Sequence, residues 1–342
     1  MPAFSTPATI SRTNRILRGS VISPLIIVGL LASFTVAAQR ESPPLTRPPS
    51  LGQQEIGTLE PPGAASLGLS MEIRQALASG KVGAAREMAE RLIREQADNF
   101  EGPYWRGLIE IDAGNQLDAI RYLRRAESIQ ANGLVLKALG IAYYLARQYR
   151  LFQQKMTQAS GKDPRDFAPL YYLGRYEDEH SQFHKSQELF SKALELNPEY
   201  YPSHYYLGYA YEAQHETALA ERHYSAALDG AKRAGKSFHL PYLGLARLRA
   251  AANEHAVALP YAQQAVAIKP NDAEAHKILA SVLVALDRTA EAIPEWEAAA
   301  KLDRSDGQIQ YQLSQAYRKL GSEKKADEAL AQFKRIMSAY GN

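Results

Sequence analysis

Four side chains near the middle of the chain have the makings of a metal site: His180 and His184, beside Glu177 and Glu179. A spacing of four places two imidazoles on one face of a continuous helix, as zinc requires. The question is whether one helix runs through both. Other chemical patterns are missing: there is no phosphate-cradling glycine loop, no Gly-x-Ser-x-Gly elbow and no His-Glu-x-x-His. The chain has no cysteine, which excludes disulfides, thiolate metal ligands, a cysteine nucleophile and a lipidated cysteine. Glu177 and Asp178 read as a solvated helix end rather than an acid–base pair. His204, His215, His223 and His255 read as ordinary polar residues at helix surfaces or turns.

The elements that would carry these side chains follow from composition and period. Hydrophobic residues make up 46% of the 342, and the 20 tyrosines outnumber 9 phenylalanines and 2 tryptophans together. Small residues with scattered aromatics suit close-packed helices better than β-sandwiches. The formal net charge is +3, and Arg12, Arg15 and Arg18 are the only charged residues among the first 38, so the remainder is neutral. A neutral body gives no electrostatic case for nucleic acid.

A small residue recurs at Gly107, Gly140, Gly174, Gly208, Ala246, Ala280 and Ser314, with gaps of 33, 34, 34, 38, 34 and 34. Twelve residues after each stands Ala119, Phe152, Ser186, Ala220, Ala258, Ala292 or Ala326. Four further on comes a mostly larger residue: Leu123, Met156, Phe190, Tyr224, Ala262, Trp296 or Leu330. Three more brings Ala126, Ala159, Ala193, Ala227, Ala265, Ala299 or Phe333. Pro164, Pro198 and Pro270 close several units. Spacings of four and three put the last three slots on one helical face. Two antiparallel helices approach closely only where each offers a small residue at the crossing. Gly80, Gly114 and Gly321 fall where the turn between the helices belongs.

These slots resemble the tetratricopeptide repeat (TPR) family over about residues 66 to 340. The expectation is an all-α fold, a right-handed α-solenoid of about eight units near 66–99, 100–132, 133–166, 167–200, 201–238, 239–272, 273–306 and 307–340. The first of them is degenerate. In this register His180 ends a first helix and His184 begins a second, so the metal reading fails. Neither metal, cofactor nor catalytic residue is expected. Phe152 and Met156 depart from the small-then-aromatic pattern. Four extra residues around Asp229 to Ser237, with Lys232, Arg233 and Lys236, read as a lengthened turn. Pro260 and Pro294 read as marks of helix starts.

The resemblance implies that first helices line a concave groove that binds partners. Carried across, the register puts Tyr104, Leu108, Lys137, Ile141, Tyr171, Arg175, Tyr205, Tyr209, Leu243, Arg247, Lys277, Ser281, Tyr311 and Gln315 on that face. The candidate partner-binding residues are Tyr171, Arg175, Tyr205, Tyr209, Leu243 and Arg247, because tyrosine and arginine commonly anchor interfaces. The packing alternative assigns such tyrosines to helix contacts, as expected for Tyr172, Tyr206 and Tyr211. The carboxylate clamp of co-chaperone members needs asparagines, and the matching row holds Trp105, Ala138, Tyr172, Tyr206, Gly244 and Ile278 instead.

At the amino terminus, a basic stretch, the apolar run Val21 to Val36 and the small pair Ala37-Ala38 read as a secretory signal over 1–38. The alternative is an uncleaved membrane anchor over 21–36. Residues 39–65 carry Pro43, Pro44, Pro48, Pro49, Pro61 and Pro62 and read as a disordered tether. The whole predicts an exported, periplasmic or secreted, non-catalytic scaffold or assembly factor of the cell envelope that holds a protein or peptide partner. The alternatives are a self-assembling protein docking through its uncapped last helix (Phe333, Ile336, Met337), making an oligomer, and an accessory subunit of an envelope enzyme.

Overall fold

The computed structural model describes residues 69–340, and every regular element there is an α-helix. The expected signal and tether lie outside the described residues. Sixteen helices follow one another as eight antiparallel pairs. The first two pairs are α1 (Leu69–Ala78) with α2 (Val82–Glu95), and α3 (Glu101–Asp112) with α4 (Gln116–Ile129). Next come α5 (Gly133–Leu145) with α6 (Tyr149–Lys162), and α7 (Ala168–Glu179) with α8 (Phe183–Leu196). Then α9 (Tyr201–Ala213) meets α10 (Thr217–Arg233), and α11 (Leu240–Ala251) meets α12 (His255–Ile268). The last pairs are α13 (Ala273–Ala285) with α14 (Thr289–Leu302), and α15 (Gly307–Lys319) with α16 (Glu323–Tyr340). Each pair packs chiefly on its neighbours in sequence, so the core is a continuous seam rather than a centre.

The seam is built from the recurring slots. A Cβ added at Gly107 would lie 2.5 Å from Leu123 Cγ, and one at Gly174 would lie 2.8 Å from Phe190 Cε1. Gly140 and Gly208 face Met156 and Tyr224 with similar closeness. The small slot therefore exists because the large side chain sixteen residues later fills the space a Cβ would take. Phe152 occupies a slot that elsewhere is small, and its ring reaches Tyr144 (5.4 Å) and Tyr176 (5.6 Å), joining two units. Between the helices of every pair one residue turns left-handed: Gly80, Gly114, Arg147, Ser181, His215, Asn253, Asp287 and Gly321. Five units hold a side chain in a conformation that costs roughly 1 kcal/mol relative to glycine.

Two local expectations are corrected. The extra residues go mainly into the helix and only in part into a longer turn. α10 continues to Arg233 as a helix of 17 residues, against 14 for α4, α6, α8, α12 and α14. The connection 234–239 after it is also longer than 197–200 or 269–272. The added turn is tied down because Gly230 sits against Tyr201, Ala231 is buried, and Arg233 pairs with Glu199 at 2.6 Å. Lys232 and Lys236 are exposed.

Pro260 and Pro294 do not mark helix starts either. Each is the sixth residue of its helix, α12 and α14 respectively. There a proline removes the hydrogen bond to the carbonyl four residues earlier, at Ala256 or Ala290. Neither proline nor either of these alanines is fully buried, so water can take that bond and the helix survives. Pro294→Ala is therefore expected to raise stability by about 1–3 kcal/mol, read as a higher urea midpoint. An unchanged or lower midpoint would mean that the proline kink is needed for packing. Pro164, Pro198 and Pro270 stand just past the ends of α6, α8 and α12, where they stop those helices.

Candidate partner-binding face

The six candidates sit on three successive first helices: Tyr171 and Arg175 on α7, Tyr205 and Tyr209 on α9, Leu243 and Arg247 on α11. All lie deep. Tyr171, Arg175, Tyr205, Tyr209 and Leu243 are each no more than 5% exposed. Tyr171 packs against the rings of Tyr172, Phe190, Tyr200 and Tyr206 at 5.1–6.0 Å. The Arg175 guanidinium lies 4.7 Å over the Tyr206 ring. Tyr205 meets Tyr206, Tyr224 and Phe238 at 5.0–5.8 Å, and Tyr209 meets Phe183 at 6.4 Å. Such pairs contribute about 0.5–1.5 kcal/mol each beyond the area they bury.

The cations of the row are spent inside the array. Arg247 makes a two-pronged contact with Glu212, at 2.8 Å from both Nε and Nη2, and Tyr224 donates its hydroxyl to the same carboxylate. Burial works against the Arg247 charge, but Glu212 more than offsets it and raises the guanidinium pKa further. Lys137 reaches Asp166 at 2.5 Å and Lys277 reaches Asp306 at 2.8 Å. Tyr144 gives its hydroxyl to Glu179. The Arg247–Glu212 and Tyr144–Glu179 contacts each tie one unit to the next.

Going along the row, Tyr104, Leu108 and Ile141 are buried as well. The face opens only toward the carboxy terminus: Lys277 and Tyr311 are half-buried, and Ser281 and Gln315 are exposed. The row that matches the clamp positions, Trp105, Ala138, Tyr172, Tyr206, Gly244 and Ile278, is buried against neighbouring helices, as expected for Tyr172 and Tyr206. Trp105, for one, donates its indole N–H to Ser70 Oγ at 3.1 Å. Tyr172 and Tyr206 are core residues, and Tyr211 stacks on His223 with an interplanar angle of 11°.

His180 follows the last residue of α7 and His184 is the second residue of α8, so no single helix presents both. The His180 ring instead packs on Tyr176 and Tyr149, with Nδ1 at 2.7 Å from the Tyr176 carbonyl. Among the described residues no group of three or more His, Asp or Glu is placed to hold a metal ion. No described helix is long and apolar enough to cross a membrane.

Two features were not foreseen. Asp178, read as part of a solvated helix end, is buried, and desolvation lifts its carboxyl to about 8 against the pull of Arg175. His204 and His223 are not surface bystanders. They face each other across α9 and α10, Nδ1 to Nδ1 at 3.1 Å. The signal for them was the constant offset of 19 between a first helix and its second, which also joins Tyr242 to Tyr261 and His276 to Glu295.

Two family models, both described as tetratricopeptide repeat, match the chain, one over residues 70–133, 243–309 and 279–340 and the other over 189–222. The chain belongs to the tetratricopeptide repeat family. Its TPR array is similar to solved structures at low identity. The Cut9–Hcn1 hetero-tetramer of APC/C matches at 14% identity with a TM-score of 0.64, over 74% of this chain and 50% of that one. PilF of Pseudomonas aeruginosa matches at 18% and 0.55, over 62% of this chain and 96% of that one. A tetratricopeptide repeat protein from Parabacteroides merdae matches at 16% and 0.52, over 71% and 99%. At these identities the likeness is one of fold. No curated protein sequence matches the chain.

Proposed function

We propose that this TPR protein is a non-catalytic scaffold or assembly factor of the cell envelope that holds a protein or peptide segment on its first-helix face. TPR arrays mediate protein–protein interaction, and the Cut9–Hcn1 assembly carries a related fold within a hetero-tetramer. The observation that supports the reading best is the row itself. Tyrosine and arginine floor positions from Tyr171 to Arg247 are held rigid by their own contacts, and the row continues into accessible side chains at Ser281 and Gln315. A rigid floor lowers the entropy lost on binding. The export signal and the envelope setting rest on residues 1–38.

Alanine at Tyr171, Tyr205 and Tyr209 would be a poor probe, since each truncation of a buried aromatic costs about 3–5 kcal/mol of stability. Blocking the open end is cleaner. With Ser281→Trp and Gln315→Trp together, recovery of the native partner from the envelope fraction is expected to fall about tenfold or more while helicity stays the same. Undiminished recovery would count against the first-helix face. If the chain instead comes out of gel filtration only as a dimer through α16, the self-assembly reading gains.

A further inference from the structure

We propose that His204 and His223 form a two-imidazole site for a divalent first-row transition ion, copper(II) above all, with water completing the coordination. The separation is the main ground. Two metal–nitrogen bonds of about 2.0–2.1 Å hold their nitrogens about 2.9 Å apart at a right angle and about 3.4 Å apart at the tetrahedral angle. The two Nδ1 atoms stand 3.1 Å apart, within that range, and a tilt of both rings turns their lone pairs from each other onto a shared ion.

The surroundings are those of a ligand pair. His204 Nε2 lies 3.2 Å from the Pro198 carbonyl, so Nε2–H donates there and the lone pair is left on Nδ1, facing His223. Ligating histidines are commonly oriented by this kind of contact to a backbone carbonyl. His223 is held on one side by Tyr211, whose near-parallel ring lies 5.5 Å away, and meets His204 edge to edge, with ring centroids 5.4 Å apart. Both rings are half-buried. Without an ion, His223 Nδ1–H donates to His204 Nδ1. On ion entry that proton moves to His223 Nε2, one neutral tautomer replaces another, and no proton is released overall.

Burial keeps both imidazoles in the neutral form that a metal needs, lowering His204 and lowering His223 to about 4, the latter helped by the neighbouring His204. The charges facing the pair are Glu199, which favours a cation, and Arg222 and Arg233, which oppose it. Arg233 is partly neutralised by its ion pair with Glu199. Copper(II) heads the affinity order of such ions for nitrogen ligands. The array contains its own comparison. His276 stands six residues after Pro270, as His204 does after Pro198, and donates to that carbonyl at 2.9 Å. Its counterpart nineteen residues on is Glu295, whose carboxylate takes the Nδ1 contact directly at 2.6 Å.

The experiment uses tag-free, full-length protein, stripped with chelator and titrated with CuCl2, NiCl2, ZnCl2 or MgCl2. Copper is expected to bind first, at one equivalent, with a two-nitrogen pattern in its electron paramagnetic resonance spectrum. His223→Asn should weaken copper binding about tenfold or more, with the metal-free helical signal unchanged. Glu295→His should create a second equivalent at the matching slot. Unchanged copper binding in His223→Asn would overturn the proposal and place the ion elsewhere in the chain. If that variant loses its helical signal, the Glu295→His titration decides alone: no second equivalent would refute the geometry.

Discussion

Replacing Gly244 by alanine is expected to cost about 3 kcal/mol and to split the array at the junction of α9–α10 with α11. Tyr224 is the reason. Its ring is fully buried, with Gly208 of its own unit on one side and Gly244 of the next on the other. A Cβ at Gly244 would fall 2.5 Å from Tyr224 Cζ and 2.7 Å from Cδ2, a clash with a rigid ring that has nowhere to swing. Its hydroxyl is anchored on Glu212, which also holds Arg247. Overpacking of this kind costs about 1–3 kcal/mol, and the anchored ring puts Gly244 at the top of that range. In a repeat array a weakened interface lets the two halves unfold separately. Urea unfolding followed by circular dichroism should therefore change from one transition to two. Gly161→Ala is the control: nothing lies within 4 Å of its added Cβ, and it should gain about 0.5–1 kcal/mol. A Gly244→Ala protein as stable as the parent would mean that α11 can slide on Tyr224.

Asp178→Asn is expected to have the opposite sign. The buried carboxyl titrates at about 8 in the folded chain, against 3.8 as the ordinary value, with burial as the leading cause. Between those two pH values the unfolded chain has released a proton that the native chain keeps. This group's stabilising contribution is therefore complete below about pH 3.8 and is lost as pH rises through about 8. Every tenfold change in proton affinity between the folded and unfolded chains corresponds to about 1.4 kcal/mol, so the penalty in the parent at pH 8 is on the order of several kcal/mol. Asparagine keeps the shape and cannot ionise. The variant should be more stable than the parent by about 2–5 kcal/mol at pH 8 and nearly equal to it at pH 4. Loss of stability at pH 8 would show instead an ionised carboxylate that draws net strength from Arg175.

What the sequence revealed and what it hid divide along physical lines. The slots at Gly107, Gly140, Gly174 and Gly208 were legible because steric closeness to Leu123, Met156, Phe190 and Tyr224 leaves only small residues there. Periodicity located them. It could not reveal Gly244, whose constraint comes from the previous unit and breaks the period. The four extra residues were read as a turn because insertions usually fall in loops. Ala231, Lys232 and Arg233 are good helix formers, however, and Gly230 fits the wall at Tyr201. The candidate row lies on first helices, as the period implies, but periodicity fixes a side of a helix and not the depth of a side chain. Tyr171 and Tyr205 are large enough to fill their surroundings, so they lie in aromatic clusters.

On the proposed function, this TPR protein meets its partner along the first-helix face. Site-specific photo-crosslinking tests it directly. A photoreactive residue is placed at Ser281 on α13 in one variant and at Val257 on α12 in another, both exposed and the second on a second helix. After irradiation in native cells, one discrete protein adduct is expected from Ser281 and none from Val257. An adduct from Val257 alone would contradict the claim.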